Sequence, residues 1–276
     1  MSNHRVRLSD RATAWGILIE DIAETENSVL AFGRLKDQAV TLKIPKQHDE
    51  ELLAGAVLRA FDGKGMVRML DQVEGVLLLE RLMPGESLVT TVASGHDDNA
   101  TELLAAVIGR LSPQSCPGVA TVEEWGKSFD RHRARDDPSL PKPLVDEAHD
   151  IYGKLCASQR LCRLLHGDLH HGNVLFDSQR GWLAIDPKGV LGEDEYEIGA
   201  ALRNPIEYPK VFLEPRTIER RIECFADRLQ LNADRILGWA FAQAVLSVVW
   251  LREDGVVVGD DHPWLELART IQPMVR

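Results

Sequence analysis

Residues 164–176, LLHGDLHHGNVLF, limit the folds open to this chain more than any other stretch. His166, Asp168 and Asn173 stand in the pattern H-x-D-x-x-x-x-N, and Asp186 follows at the end of an apolar run, in WLAIDP. Between them, residues 173–176 and 181–185 flank the turn-forming stretch 177–180. Two short apolar runs around a polar turn predict a small β-hairpin. A hairpin returns its last residue to the neighbourhood of its first. Any suitable fold must therefore present Asp168 and Asn173 on a loop and deliver Asp186 beside them.

The rest of the chain divides in two. Residues 15–20, 28–35 and 38–44 are rich in β-branched or apolar side chains, with Lys36 and Asp37 as a compact turn. A helix is expected over EELLAGAVLRAF, where Leu52, Leu53, Ala56, Val57 and Ala60 share one face. Strands are expected over 66–70 and 75–82. Beyond Met83, Pro84 and Gly85, helical patterns dominate: 101–111, 144–165, 196–203, 215–229, 234–252 and 263–271, with 112–120 as a loop. The predicted class is α+β. Residues 1–82 would form a small β-rich lobe with one main helix, and residues 83–276 a larger helical lobe.

Composition narrows the partners. With 32 basic and 43 acidic residues the chain carries a net charge of −11, which argues against a nucleic-acid backbone as partner. The four cysteines form no CxxC pair and no zinc spacing, so free thiols are expected. The N-terminus has no apolar signal core. Residues 236–251, interrupted by Gln243 and Ser247, fall short of the ~20 residues of a membrane span and predict a core helix. The expectation is a cytoplasmic protein without a membrane partner, monomeric or weakly dimeric.

The chemistry of the 164–186 region follows from its donor types. Phosphoryl transfer needs a carboxylate to orient a hydroxyl and take its proton, with oxygen ligands for Mg²⁺ across the nucleotide phosphates. An Asp, an Asn five residues later and an Asp on a following hairpin meet that need. His166, His170 and His171 raise a zinc site, but no cysteine or helical histidine pair supports one. A purely local role, with Asp168 capping a turn, is the other alternative.

HGDLHHGN, followed by IDPKG and YEIGAALRNP, resembles the aminoglycoside phosphotransferases, in particular the group of streptomycin 6-phosphotransferases and hydroxyurea-resistance kinases. The likeness runs from around Ser28 to around Gly255 and takes in ELLAGAVLRAF, GKGMVRML and VVWLREDG. It implies a protein-kinase-like bilobal fold, with ATP or GTP between the lobes and Mg²⁺ on the phosphates. Under the resemblance Asp168 would be the catalytic base, and Asn173 and Asp186 the Mg²⁺ ligands. Lys43, in AVTLKIPK, would bind the α- and β-phosphates, and Glu51 would pair with it. The backbone of Glu80, Arg81 and Leu82 would hydrogen-bond the adenine edge. Read alone, Lys43 is a solvent-facing strand residue and Glu51 an acid favoured at a helix N-terminus.

Two departures from protein kinases stand out. The chain has ETENSVLAF in place of a glycine-rich loop, so Asn27 and Ser28 would form its tip. Asp186 precedes Pro187 and Lys188 rather than Phe-Gly, and no arginine precedes Asp168. Both favour a constitutively assembled small-molecule kinase over a regulated protein kinase. For the acceptor, Glu193, Asp194, Glu195 and Glu197 would pair with amines or guanidinium groups. A second acidic set is Glu253, Asp254, Asp260 and Asp261. Acids near helix ends and in polar loops have a plainer explanation as well. The expected reaction is γ-phosphate transfer to a hydroxyl of a cationic aminoglycoside-type antibiotic. The alternatives are hydroxyurea, an amino-sugar-like metabolite, or a pseudokinase that binds nucleotide without catalysis.

Overall fold

The computed structural model describes residues 3–25, 27–46, 48–135, 137 and 139–275. The chain opens with α1 (Asn3–Trp15), β1 (Ile17–Glu24), β2 (Ser28–Leu35), β3 (Gln38–Pro45) and α2 (His48–Phe61). β4 (Met69–Val73), β5 (Val76–Glu80), β6 (Pro84–Ser87), α3 (Val89–Ala93) and α4 (Asp97–Arg110) follow. Next come α5 (Val122–Ala134), α6 (Lys142–Ala157), β7 (Arg163–Leu165), β8 (Val174–Asp177), β9 (Gly181–Ala184) and β10 (Val190–Gly192). The chain closes with α7 (Asp194–Leu202), α8 (Pro209–Phe212), α9 (Pro215–Leu229), α10 (Ala233–Glu253) and α11 (Pro263–Ile271). These elements fall into two units.

The first unit comprises residues 1–86, 110–117 and 175–188. Its main sheet is antiparallel in the order β1-β2-β3-β5-β4. Alternation along β3 sends Val40, Leu42 and Ile44 into a core with Val29, Ala31, Val76 and Leu78. Leu8 and Ala12 of α1 join the same cluster. Lys43, between Leu42 and Ile44, is thereby turned to the other face of the sheet. The sequence does not predict α1, whose inward side rests on Leu8 and Ala12 and whose Arg11 pairs with Glu74. Its apolar stripe is too thin to register.

The β8–β9 hairpin forms as expected, but residues 175–188 belong to the first unit rather than to the helical one. Arg180 is the reason. It pairs with Glu80 and donates to the Gly63 carbonyl at 2.6 Å, while Met66 bridges Ala184 in parallel register. Arg110 donates to the Trp182 carbonyl, which draws 110–117 in too. The expected boundary after residue 82 lies instead after Glu86, and the unit gathers three separate stretches of chain.

The second unit comprises residues 87–109, 118–174 and 189–276. α10 runs through its centre, packed on α5, α6, α7, α9 and α11, with residues 236–249 all buried. It is long and apolar enough to cross a membrane, yet it is the core helix expected from its length. Trp239 meets Tyr152 of α6 and Tyr196 of α7 edge-on, each at 5.0 Å between ring centroids. Such rings add about 0.5–1.5 kcal/mol per pair beyond their buried area. α5 was unassigned in the sequence, although Thr121 and Glu124 form a reciprocal capping box at its start. α6 stops at Ala157, short of the expected 165. Residues 163–165 pair antiparallel with β10 instead, Leu165 opposite Val190.

Candidate active site

In the second unit, β7 ends at Leu165 and the chain turns through His166, Gly167 and Asp168. Gly167 has φ +83°, and a Cβ there would stand 2.9 Å from the Trp125 ring and 3.1 Å from Val190. Glycine is therefore required. From α7 the buried Glu197 accepts the N–H groups of His166 at 2.6 Å and Gly167 at 3.0 Å. Burial pushes its carboxyl up to about 7, against the pull of those two N–H donors. One carboxylate thus fixes the entry to the loop.

The rest of the loop is tied to itself. His166 Nδ1 accepts the Asp168 N–H at 3.3 Å, and His170 Nδ1 accepts the Gly172 N–H at 3.1 Å. Asn173 Nδ2 donates to the Asp168 carbonyl at 2.9 Å, which leaves its amide oxygen as the donor atom for a cation. The Asp168 side chain remains 31% exposed, with Oδ1 3.5 Å from Arg203 Nη2 and Oδ2 4.0 Å from His170 Nε2. His171 is buried, and neither ring nitrogen has a partner among the described residues. Burial drives its pKa well below the usual value, so it sits neutral in the core.

In the first unit, Lys43 and Asp186, 143 residues apart in sequence, form an ion pair. Lys43 is 13% exposed and Asp186 44%. Asp186 adopts φ +59°, a left-handed conformation that Asp tolerates better than most side chains. It turns the chain sharply just after β9. Its carboxylate, like the Asn173 amide oxygen in the second unit, is a hard donor of the kind Mg²⁺ takes.

The other residues to which the resemblance gave nucleotide roles are placed as follows. Asn27 and Ser28 form the tip between β1 and β2. The Asn27 carbonyl accepts the Lys46 N–H, and the Ser28 N–H bonds Thr25 Oγ1 at 3.0 Å. Glu51 falls within α2, and its side chain lies outside the described residues. Glu80 is engaged on all sides: its N–H donates to the Arg68 carbonyl, and its carboxylate accepts the Arg68 N–H and pairs with Arg180. The Arg81 N–H donates to the Ala39 carbonyl. The Leu82 N–H makes no hydrogen bond among the described residues. Of the three backbone donors, that one is available to a purine edge.

The expectation for the acidic cluster needs correcting. Glu193 is buried and accepts Arg235 Nε at 2.9 Å and Trp239 Nε1 at 2.6 Å. Asp194 pairs with Arg163, and Glu195 accepts the Asn232 N–H at 3.2 Å at the start of α10. Glu197 holds the loop described above. These carboxylates meet cations and N–H groups of the chain itself and form no open acidic patch. Glu253 is likewise engaged by Arg131 and Ser128, and Asp260 by Arg269. Arg203, beside Asp168, went unnoticed in the sequence, where it reads as an ordinary helix end.

A sequence profile of the aminoglycoside/hydroxyurea antibiotic resistance kinases matches residues 19–255. Streptomycin 3''-kinase of Klebsiella pneumoniae is 32% identical over 249 residues, which are 87% of this chain and 91% of that one. Streptomycin 6-kinase of Streptomyces griseus is 32% identical over 237 residues, 79% and 72% of the two chains. Among solved structures, a thermostable mutant of aminoglycoside phosphotransferase APH(4)-Ia, in ternary complex with AMP-PNP and hygromycin B, superposes with a TM-score of 0.67. It is 15% identical and covers 100% of this chain and 98% of its own, a likeness of fold.

Proposed function

Because the chain belongs to the aminoglycoside/hydroxyurea antibiotic resistance kinases, a phosphotransferase family with a protein-kinase-like fold, we propose that it moves the γ-phosphate of ATP to a hydroxyl of a streptomycin-type aminoglycoside. The observation that carries the reading is the Lys43–Asp186 ion pair. A lysine of β3 and a carboxylate just beyond β9, so far apart in sequence, are the two groups that nucleotide phosphates and their metal ion require.

The residues then divide the work. Lys43 exchanges Asp186 for the α- and β-phosphate oxygens of the donor. Asp186 and Asn173 would hold Mg²⁺, which neutralises charge on the phosphates when bound. Leu82 offers its N–H to the purine edge, and Asn27 and Ser28 lie at the tip of the β1–β2 turn. Asp168 orients the acceptor hydroxyl and takes its proton as the new O–P bond forms and the bond to the departing ADP breaks. Long-range attraction from the net charge of −11 would favour a polycationic acceptor over a neutral one.

An ADP-release assay with Mg-ATP or Mg-GTP and a panel of streptomycin, hydroxyurea and amino sugars tests the reading. Streptomycin should be phosphorylated, with the product identified by mass. Turnover of hydroxyurea without streptomycin would leave the kinase chemistry standing and replace the acceptor. Nucleotide binding without turnover of any acceptor would overturn the proposal.

A further inference from the structure

Arg203 caps the C-terminus of α7 with its side chain 7% exposed. Its Nη2 lies 3.5 Å from Asp168 Oδ1, and its Nη1 donates to Gln243 Oε1 at 3.0 Å. Gln243 is fixed in turn: its Nε2 donates to the Tyr196 carbonyl at 2.6 Å, which points the amide oxygen towards Arg203. Gly199 makes room for this, since a Cβ there would stand 2.5 Å from the Gln243 amide. The guanidinium also lies 5.9 Å from the Trp264 ring centroid, and Trp264 Nε1 donates to the Arg203 carbonyl at 3.0 Å.

Burying a cation costs several kcal/mol of desolvation, which only good pairing offsets. Burial draws the arginine's pKa down, and Asp168 draws it back up most strongly among its neighbours, followed by Tyr196 and Glu197. An arginine stays charged under any of these influences. A charge placed in the core, clamped by an oriented amide and aimed at one oxygen of a part-exposed carboxylate, does more than fill space.

We infer that Arg203 is a positioning residue for phosphoryl transfer: it engages Oδ1 of Asp168, fixes the carboxylate's rotamer and leaves Oδ2 for the acceptor hydroxyl. The inference rests on the reading of Asp168 as the base. Loss of that positioning should act on turnover and not on the nucleotide, because a base acts on the acceptor hydroxyl rather than on ATP. A misplacement of about 1 Å at a reacting group can cost on the order of 100-fold in rate.

The experiment uses the full chain and the acceptor that is turned over in the panel above. Arg203→Met should lower kcat by ~10–100-fold with the ATP KM within about twofold. Arg203→Lys keeps the charge and should recover a large part of that loss. Gln243→Leu removes the second clamp without touching the charge and should lower kcat by roughly 3–10-fold. Turnover near wild type in Arg203→Met overturns the inference, as does an equal loss in Met and Lys variants with a parallel rise in ATP KM. Should Arg203→Met fail to fold, judged by its circular dichroism melt, wild-type kcat in both Arg203→Lys and Gln243→Leu overturns it. Asp168→Asn run in parallel separates the two readings. If it keeps more than about a tenth of wild-type turnover, the base assignment falls. If it is inactive while the Arg203 and Gln243 variants are normal, only the inference about Arg203 falls.

Discussion

The charged groups assigned to phosphate and metal are held differently from those around the loop that carries Asp168. In the first unit, Lys43 and Asp186 meet as a partly exposed pair, with Asp186 almost half open to solvent. In the second, alongside exposed surface pairs, several charges are sunk: Arg221 with Asp97, Arg235 with Glu193, and Glu197 under the loop that carries Asp168. Exposed pairs contribute about 0–1 kcal/mol and exchange partners cheaply. Breaking a buried pair by removing one member costs about 3–5 kcal/mol. The difference suits the division of labour proposed above. Groups that must accept phosphate and metal are left exchangeable, whereas the loop that must hold a base in place is locked before any ligand arrives.

The comparison breaks first at Asp168. Asp168→Ala should cost ~10²–10⁴-fold in kcat and leave ATP affinity nearly unchanged, because the base acts on the acceptor alone. Steady-state kinetics with calorimetry of nucleotide binding reads both. A large loss of ATP affinity would mean that the loop serves the nucleotide as well. Asp186→Ala is the counterpart in the exchangeable unit. Calorimetry with and without Mg²⁺ should show roughly tenfold or greater loss of Mg²⁺-dependent nucleotide affinity, in line with a lost oxygen ligand. An unchanged affinity would remove Asp186 from the metal site.

Glu197 sharpens the contrast through pH. Its folded pKa, about 7, is raised above the unfolded value near 4.5 by burial. The native state therefore binds more protons than the unfolded chain between those values, and stability falls as pH rises through that window. Each pKa unit corresponds to about 1.4 kcal/mol, so the change should be visible as several degrees in Tm. Wild-type Tm should drop between pH 5 and pH 8 relative to Glu197→Gln, which cannot ionise and retains an acceptor oxygen. Parallel pH curves for the two proteins would show that the two N–H donors stabilise the charged carboxylate as much as burial opposes it.

Much of this was legible in the sequence, and what was not has identifiable causes. The spacing of His166, Asp168 and Asn173 depends only on local chain, so it survived translation into structure intact. The hairpin to Asp186 was equally local. What escaped were long-range partners. Glu193 and Asp194 look like a solvent-facing acidic run, and nothing near them in sequence reveals that Arg235 and Arg163 lie against them. Arg203 is 35 residues from Asp168 and appears only as the end of a helical pattern. α1 failed for another reason: with Leu8 and Ala12 as its buried residues in the core cluster, its periodicity is swamped by charge. Ion-pair choice and thin amphipathic faces are settled by packing, where sequence pattern has little to say.

The smallest expected effect is also the one that tests the corrected role of the acidic run. Asp194 is 38% exposed on its side chain and pairs with Arg163, while Glu195 accepts a single backbone N–H. Replacing them as Asp194→Asn with Glu195→Gln removes two charges and keeps the shape. Partly exposed pairs of this kind contribute about 0–1 kcal/mol, so Tm should move by only a few degrees. Because both carboxylates already have partners within the chain, the acceptor KM should stay within about twofold of wild type. Its dependence on salt should also be unchanged, since attraction across a Debye length of ~10 Å at 0.1 M follows the net charge as a whole. Kinetics at two salt concentrations decide the matter. A rise in acceptor KM of roughly fivefold or more, with a flattened salt dependence, would show these carboxylates giving up Arg163 and Asn232 for the acceptor. A carboxylate of the second unit would then give up its partner to a ligand, as Asp186 is proposed to do in the first, and the contrast between the two sets of charges would not hold.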